Sequence, residues 1–173
     1  MAPAELPIRR DLGPGDLERV TRLHGASYAA EYGLDATFEA DIAGRTAAVA
    51  ERGFPGEREG AWIAERDGRL AGFIALTDEG GSRGQVRWFI VDAAERGSGL
   101  GRRLLRDLLA TASAHDYRIL ELTTFSELAA AARLYRDAGF SCVQSAPDAR
   151  WGRTLEIQRY ELDLESAARR GAA

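Results

Sequence analysis

The chain has 173 residues, a net charge of −4 from 27 acidic and 23 basic residues, and a single cysteine. This length is typical of one domain, and the small excess of acid argues against nucleic-acid binding, which requires concentrated basic residues. Cys142 alone can form no intramolecular disulfide, and the two histidines, His24 and His115, form no ligand motif, so we expect no metal site. The N-terminal MAPAELPIRR and the rest of the chain lack the apolar runs of a signal peptide or a membrane span, which predicts a cytoplasmic protein with no membrane partner.

Helix and strand patterns alternate along the N-terminal half. They predict, in order, a strand at 6–10, a helix from Asp16, a helix after Asp35 or Thr37, and strands at 61–64, 70–76 and 86–91. Asp16 is expected to cap the first helix, because an aspartate side chain accepts hydrogen bonds from N–H groups of the first turn. Asp67-Gly68 lies between two of the strands and is typical of a type I′ hairpin turn. The last three strands are therefore predicted to form an antiparallel meander.

The C-terminal half adds a crossover from strand to helix to strand. It predicts a helix at 100–112, a strand at 119–122, a helix capped by Ser126 and ended by Gly139, and strands at 140–144 and 155–162. Together the patterns indicate an α+β fold, in which a mixed, mostly antiparallel sheet of about seven strands is flanked by about four helices. They also indicate one domain, residues 1–173, with a core at about 6–163 and a flexible tail at 164–173.

A glycine-rich loop in VDAAERGSGLGRRLL, residues 91–105, separates a strand from a helix and is typical of phosphate binding. A Walker A loop ends in Gly-Lys-Ser/Thr, whereas Gly101 is followed by Arg102 and Arg103, so that device is excluded. A dinucleotide-binding loop requires G-x-G-x-x-G directly after a strand, and here the third glycine comes one residue early. Glu121 lies near the ribose-binding offset of that alternative, but the antiparallel strands around the loop count against it.

Residues 96–101, RGSGLG, match a third pattern, Q/R-x-x-G-x-G/A, and residues 134–140, LYRDAGF, supply a second motif. With both motifs, the chain resembles the GNAT superfamily of acetyl-CoA-dependent N-acetyltransferases over nearly its whole length. The stretches at 122–140 and 151–162 are similar to GNAT domains that follow a MarR-type helix-turn-helix in other proteins. This chain is too short and too acidic to carry such a module, so we expect a stand-alone GNAT fold.

The resemblance implies that acetyl-CoA is the co-substrate. Its pyrophosphate would accept hydrogen bonds from backbone N–H groups of the loop, where glycines permit a close approach. Its pantetheine arm would lie along residues 89–91, where the N–H of Phe89 would polarise the thioester carbonyl. The cofactor-binding residues implied in this way are Phe89, Ile90, Val91, Arg96, Gly97, Ser98, Gly99, Leu100, Gly101, Arg102 and Arg103.

Tyr135, in the second motif, matches the family tyrosine that protonates the departing thiolate. Two positions depart from the family, since Leu128 stands where members often carry a cofactor-contacting asparagine, and Thr123 where some carry a catalytic glutamate. The general base therefore stays open. The candidate carboxylates are Glu31, Asp35, Glu39, Glu79 and Glu121. The residues expected to bind the acceptor are Tyr28, Glu31, Tyr32 and Glu121, with Trp151 as a further candidate, whereas His24 and Cys142 are interpreted as core residues.

The expected reaction is transfer of an acetyl group from acetyl-CoA to a primary amine of a small molecule, by direct attack in a ternary complex. Acetylation of a protein N-terminus or lysine is one alternative. A non-catalytic acyl-CoA-binding or sensing module is another, favoured by the replacements at Leu128 and Thr123 and disfavoured by Tyr135. The expected partners are acetyl-CoA and a small amine, with a homodimer through the C-terminal strands left open and no nucleic acid.

Overall fold

The structure is a computed structural model that describes residues 5–171. Its strands are β1 (Ile8–Arg9), β2 (Gly60–Arg66), β3 (Arg69–Gly80), β4 (Arg83–Val91), β5 (Ile119–Phe125), β6 (Ser141–Arg150) and β7 (Arg153–Asp163). Its α-helices are α1 (Asp16–Tyr32), α2 (Ala36–Glu51), α3 (Leu100–Ala114), α4 (Ala129–Asp137) and α5 (Leu164–Gly171). The strands form a single sheet in the order β1-β2-β3-β4-β5-β7-β6, and of these described strands only β4 and β5 run parallel. The predicted α+β fold with a mostly antiparallel sheet is therefore confirmed.

Each face of the sheet packs against a different group of helices. Successive side chains of a strand point to opposite faces, so Phe73 of β3 packs with Phe38 of α2, whereas Ile74 packs with Leu104 and Leu108 of α3. Phe73 and Ile74 are fully buried, and burial of a side chain of this size contributes roughly 1.5–3 kcal/mol. No described helix is long and apolar enough to cross a membrane.

Two predicted helix caps are wrong. Gly15, not Asp16, occupies the cap position of α1, and the Asp16 carboxylate is buried and accepts two hydrogen bonds of 2.9 Å from the Arg9 guanidinium. This ion pair joins β1 to α1. Because Arg9 engages the Asp16 carboxylate, that carboxylate does not cap the helix. Ser126 does not cap α4, which begins after Leu128 without any side-chain cap.

The C-terminal hairpin is longer than predicted. β6 continues to Arg150, and a turn at Trp151-Gly152, where φ is 53° and 80°, leads into β7. β6 is the edge strand of the sheet, and most of its residues are exposed on both faces. The prediction that Cys142 is a core residue is therefore wrong, because this cysteine lies on the exposed edge strand.

Residues 164–171 form α5, where we expected a flexible tail at 164–173; residues 172 and 173 lie outside the described part of the chain. The Asp163 carboxylate accepts hydrogen bonds from the backbone N–H and the hydroxyl of Ser166, at 3.0 and 3.1 Å. Leu164 packs against the core on the α3 face. A capped first turn and a half-buried leucine together account for the extra helix.

Candidate active site

The parallel strands β4 and β5 diverge and leave a wedge-shaped gap between them, which we call the wedge. They pair only over residues 83–85 and 119–121. Beyond that point β4 remains paired with β3, and β5 remains paired with β7. The edge of β4 at 86–91 thus faces no described strand. An unpaired strand edge offers N–H and C=O groups that an extended ligand can pair with.

A β-bulge at Trp88 shapes this free edge. One extra residue of β4 lies opposite the stretch of β3 between Phe73 and Ala75. Trp88 has a φ of 50°, a left-handed conformation that is unfavourable for a bulky side chain and costs roughly 1–3 kcal/mol. The bulge shifts the alternation of side chains, so that Val86 lies in the core on the α3 face and Trp88 in the core on the α2 face. Strained bulges of this kind cluster at functional sites.

A first cavity of about 580 Å³, which we call the loop cavity, lies between the free edge of β4, the start of α3 and the start of α4. Tyr28 and Tyr32 of α1 also line it. Most of the predicted cofactor-binding residues line the loop cavity, namely Phe89, Ile90, Val91, Arg96, Gly97, Gly99, Leu100, Gly101 and Arg102. The structure therefore brings the loop and the strand together around one space.

The glycine loop offers several unused backbone donors. The N–H groups of Gly97, Gly99, Gly101 and Arg102 donate to no acceptor among the described residues. Gly97 and Gly99 have φ of 80° and 84°, conformations that glycine adopts without steric cost. The donors lie at the N-terminus of α3, where the helix dipole favours negative charge. Such a set of free N–H groups can hold a phosphate or pyrophosphate.

Ser98 and Arg103, which the resemblance assigned to cofactor binding, do not line the loop cavity. The Ser98 hydroxyl donates to the carbonyl oxygen of Glu95 at 2.7 Å and accepts from the N–H of Leu100 at 3.3 Å, so it closes the turn. The Arg103 guanidinium donates to the carbonyl oxygen of Leu6 at 2.8 Å and holds the N-terminal segment. Neighbouring helix residues project about 100° apart, so Arg103 cannot share the side of Arg102.

Arg96 and Glu31, predicted to bind the cofactor and the acceptor respectively, bind each other. Two hydrogen bonds of 2.6 and 2.7 Å join the guanidinium to the carboxylate. The hydrogen bond from Arg96 holds the pKa of Glu31 below its usual value. Arg96 lines the loop cavity and Glu31 does not, so the pair links α1 to the glycine loop at the cavity rim.

A second cavity of about 410 Å³, which we call the aromatic cavity, lies between the wedge and the helices α1 and α2. Its aromatic wall consists of Tyr28, Phe38, Trp88, Phe89, Phe125, Tyr135 and Trp151. The residues that line both cavities are Tyr28, Phe89, Leu128 and Ala131. Because the two spaces meet at these residues, a ligand in one can contact a ligand in the other.

Tyr135 lies beside this junction. Its side chain lines the aromatic cavity, and its ring centroid is 6.0 Å from that of Phe89. The hydroxyl forms no hydrogen bond with a described residue. Burial, together with the neighbouring Tyr28 and Tyr160, raises the pKa of the Tyr135 phenol above its usual value. The phenol is therefore protonated at neutral pH and free to donate.

None of the five carboxylates considered as a general base lines the aromatic cavity. Glu121 of β5 is paired with Arg83 at 2.8 Å, because β4 and β5 are still adjacent at that point. Glu79 is paired with Arg87 at 3.1 Å, and Asp35 caps α2. Glu31 and Glu121, which were expected to bind the acceptor, each pair with an arginine outside this cavity.

The aromatic residues expected to bind the acceptor, unlike the carboxylates, line the cavities. Tyr28 lines both cavities, Tyr32 lines the loop cavity, and Trp151 lines the aromatic cavity. His24, interpreted as a core residue, is buried and also lines the aromatic cavity. Burial lowers the pKa of His24 to about 4, against the opposing hydrogen bond to the carbonyl oxygen of Val20, so the imidazole is neutral at pH 7.

The polar residues of the aromatic cavity were not predicted from the sequence. The charged ones are Asp41, Arg45, Arg87 and Arg150. Thr124 also lines it, and the buried Thr124 Oγ1 has no hydrogen-bond partner among the described residues. Arg87 carries a local signal, because a charged residue interrupts the apolar run VRWFIV. The others have none, since only the folded chain brings α2, β5 and the end of β6 together.

The sequence model of a family described as acetyltransferase (GNAT) matches residues 20–140. No curated protein sequence matches the chain.

Solved structures share the fold. The protein yncA from Salmonella typhimurium, a proposed acetyltransferase solved with acetyl-CoA, is 22% identical with a TM-score of 0.73, over 93% of this chain and 95% of that one. Ribosomal-protein-alanine N-acetyltransferase from Brucella melitensis is 20% identical with a TM-score of 0.72, over 91% and 99%. A proposed phosphinothricin N-acetyltransferase is 21% identical with a TM-score of 0.73, over 92% and 99%.

Proposed function

The chain belongs to the acetyltransferase (GNAT) family, whose co-substrate is acetyl-CoA, and on this premise we propose that it acetylates a primary amine of a small molecule. The observation that carries the proposal is the set of unused N–H donors at the glycine loop, beside a cavity that meets a second, aromatic cavity. The pyrophosphate is assigned to the N–H groups of Gly97, Gly99, Gly101 and Arg102. The pantetheine arm is assigned to the free edge of β4, and the amine to the aromatic cavity.

The reaction forms one bond and breaks another. The amine nitrogen bonds to the thioester carbonyl carbon, the carbon–sulfur bond breaks, and the sulfur leaves as a thiolate. The N–H of Phe89 is assigned to the carbonyl oxygen, which gains negative charge in the transition state. Tyr135 is assigned as the acid that protonates the thiolate, and it recovers its proton, through water, from the nitrogen that has become an amide.

The proposal needs no carboxylate base. Asp41 is the one carboxylate among the described residues that line the aromatic cavity, and it is paired with Arg45 at 3.0 Å. The amine is therefore expected to enter in its neutral form, after losing its ammonium proton to water. This assignment agrees with the absence of a glutamate at Thr123.

Release of free CoA thiol, detected with DTNB, tests the proposal on the wild-type protein and a panel of primary amines. Amine-dependent release is expected, with the acetylated amine identified by mass spectrometry. Binding of acetyl-CoA without turnover of any amine would instead favour a non-catalytic acyl-CoA-binding module. A peptide that begins with alanine belongs in the panel, because one neighbour is named for a ribosomal-protein alanine; preference for it would favour a protein acetyltransferase.

Two further parts of the proposal concern the cellular location and the oligomeric state. We assign the protein to the cytoplasm, because Cys142 has no partner for a disulfide. We also propose a homodimer through β6, the exposed edge strand of the sheet. Sedimentation velocity of the full chain tests the dimer, and a single species with the mass of one chain at all concentrations would exclude it.

Glu31→Gln is expected to strengthen acetyl-CoA binding by up to about fivefold, because it releases Arg96 for the phosphates. An exposed ion pair is worth at most about 1 kcal/mol, which sets this limit. Calorimetric titration with acetyl-CoA measures the change. The matched control is Glu18→Gln on the same helix, where the carboxylate pairs with Arg22 and lines neither cavity. Weaker binding by Glu31→Gln would mean that the pair holds the loop in its binding shape.

A further inference from the structure

The charged groups of the aromatic cavity are mostly arginines. Arg45, Arg87 and Arg150 line it, against Asp41 as the one acidic residue in the described wall. Each arginine is paired with a carboxylate: Arg45 with Asp41 at 3.0 Å, Arg87 with Glu79 at 3.1 Å, and Arg150 with Asp148. Of these three carboxylates, only that of Asp41 lines the cavity. The cavity wall therefore presents more guanidinium donors than carboxylate acceptors, which suits a ligand with an anionic group.

The arginines keep free donors. Arg150 bonds to Asp148 through Nη2. Arg87 bonds to Thr77 through Nε at 2.8 Å and to Glu79 through Nη2 at 3.1 Å. In the described part of the chain, Nη1 of both arginines has no acceptor. A guanidinium with free N–H groups suits a carboxylate or a similar planar or tetrahedral anion.

The polar groups that line the cavity differ in their exposure to solvent. The side chains of Arg45 and Arg150 are 50% and 34% exposed, whereas Tyr135 and Thr124 are buried. The Arg87 side chain is 20% exposed. Because all three arginines are more exposed than the two hydroxyl-bearing residues, we place the arginines toward the open end and the hydroxyl groups toward the closed end, where Phe89 is shared with the loop cavity. A reacting amine must reach this closed end, so a second charged group on the same molecule falls toward the arginines.

The wall between the two ends is apolar. Phe38, Trp88, Phe125 and Trp151 supply aromatic surface, and the volume of about 410 Å³ leaves room for a branched or aromatic side chain. Aromatic and aliphatic groups gain free energy from burial against such a wall. The acceptor is thus expected to combine an amine, an apolar body and an anionic group.

We propose that the acceptor is an amine that also carries a small anionic group, in the simplest case the carboxylate of an apolar α-amino acid. Arg87 and Arg150 bind the anionic group, and the unpartnered Thr124 Oγ1 accepts a hydrogen bond from the amine. The inference rests on the proposed function, since it names the acceptor class of the same site.

Matched acceptors test the anionic group directly. L-phenylalanine is compared with phenethylamine, which lacks the carboxylate, and with L-phenylalaninamide, in which it is neutral; L-leucine and 3-methylbutylamine form a second pair. The kcat/KM from CoA release, compared at equal concentrations of neutral amine, is expected to be at least about tenfold higher for the carboxylates, since a charge-assisted hydrogen bond has this size. Equal or faster turnover of the amines or the amide would overturn the inference.

Variants assign the effect to the arginines. Arg150→Gln is expected to raise KM for L-phenylalanine about tenfold and to leave phenethylamine unchanged, and Arg87→Gln to do the same. Arg106→Gln is the matched control, because this arginine pairs with its neighbour Asp107 and lines neither cavity. A carboxylate preference that persists in both cavity variants would contradict the assignment.

The test separates failure of the inference from failure of the proposed function. Trp88 and Trp151 line the aromatic cavity, so binding there is expected to change tryptophan fluorescence in the presence of CoA. If no acceptor turns over, a larger fluorescence response to L-phenylalanine than to phenethylamine still supports the anion site. An equal or smaller response overturns it. Turnover of the uncharged amines alone would leave the proposed acetyltransferase intact and remove only the inference.

Discussion

Tyr135→Phe is expected to lower kcat by about a hundredfold or more and to leave the affinity for acetyl-CoA unchanged. The Tyr135 phenol lies beside the junction of the two cavities and forms no hydrogen bond with a described residue, and a positioned general acid contributes about 10²–10⁴ to the rate. The substitution removes a hydroxyl without a protein hydrogen bond, so the ring contacts with Phe89, Phe140 and Tyr160 persist. Steady-state CoA release and the thermal midpoint of unfolding measure the two effects.

The pH dependence sharpens this prediction. Because burial raises the pKa of Tyr135, the phenol stays protonated well beyond neutral pH, and no loss of acid function is expected up to about pH 9. The rise of kcat/KM with pH follows deprotonation of the amine in solution, so its shape is expected to be the same in Tyr135→Phe.

The neighbouring Tyr160 provides the control for Tyr135. Its ring lies 6.0 Å from that of Tyr135, but it lines neither cavity. Tyr160→Phe is therefore expected to retain the wild-type kcat. Near-wild-type activity of Tyr135→Phe would remove the phenol from the mechanism and leave protonation of the thiolate to water.

Gly101→Glu is expected to weaken acetyl-CoA binding at least about a hundredfold, or about 2.7 kcal/mol. A Cβ at residue 101 would lie 3.4 Å from atoms of Phe89 and Val91, so a longer side chain enters the space between α3 and the free edge of β4. Its carboxylate would also repel the pyrophosphate. The stabilisation of the protein by added acetyl-CoA, measured as a shift in Tm, is expected to disappear.

Gly101→Ala separates blockage from loss of the glycine. Gly101 has no positive φ, and the contacts of 3.4–3.6 Å are ordinary for an added methyl group. Alanine is therefore expected to retain most of the affinity, in line with a pattern that allows glycine or alanine at this position. Equal loss in both variants would mean that the loop tolerates no side chain for reasons of folding, and unchanged binding by Gly101→Glu would place the cofactor elsewhere.

Local backbone chemistry explains which parts of the structure could be predicted. The hairpin at Asp67-Gly68 requires positive φ at both residues, and they have φ of 51° and 74°, as a type I′ turn demands. The glycine loop was identified in the same way, because its residues are close in sequence and their backbone conformations follow from residue type.

Contacts between distant segments explain what could not be predicted. Arg96 and Glu31 are 65 positions apart, so no spacing rule shows that they pair with each other and not with ligands. Cys142 was misplaced because the pattern of β6 does not show that this strand lies at the sheet edge. The charges of the aromatic cavity come from α2, β4 and the end of β6, and only the fold brings them together.

The central claim is that the glycine loop and the free edge of β4 bind acetyl-CoA. Calorimetric titration of the wild-type protein with acetyl-CoA tests it most directly. We predict one binding site per chain with micromolar affinity. Absence of binding would contradict the account, because the free N–H groups of the loop would then do no more than begin a helix.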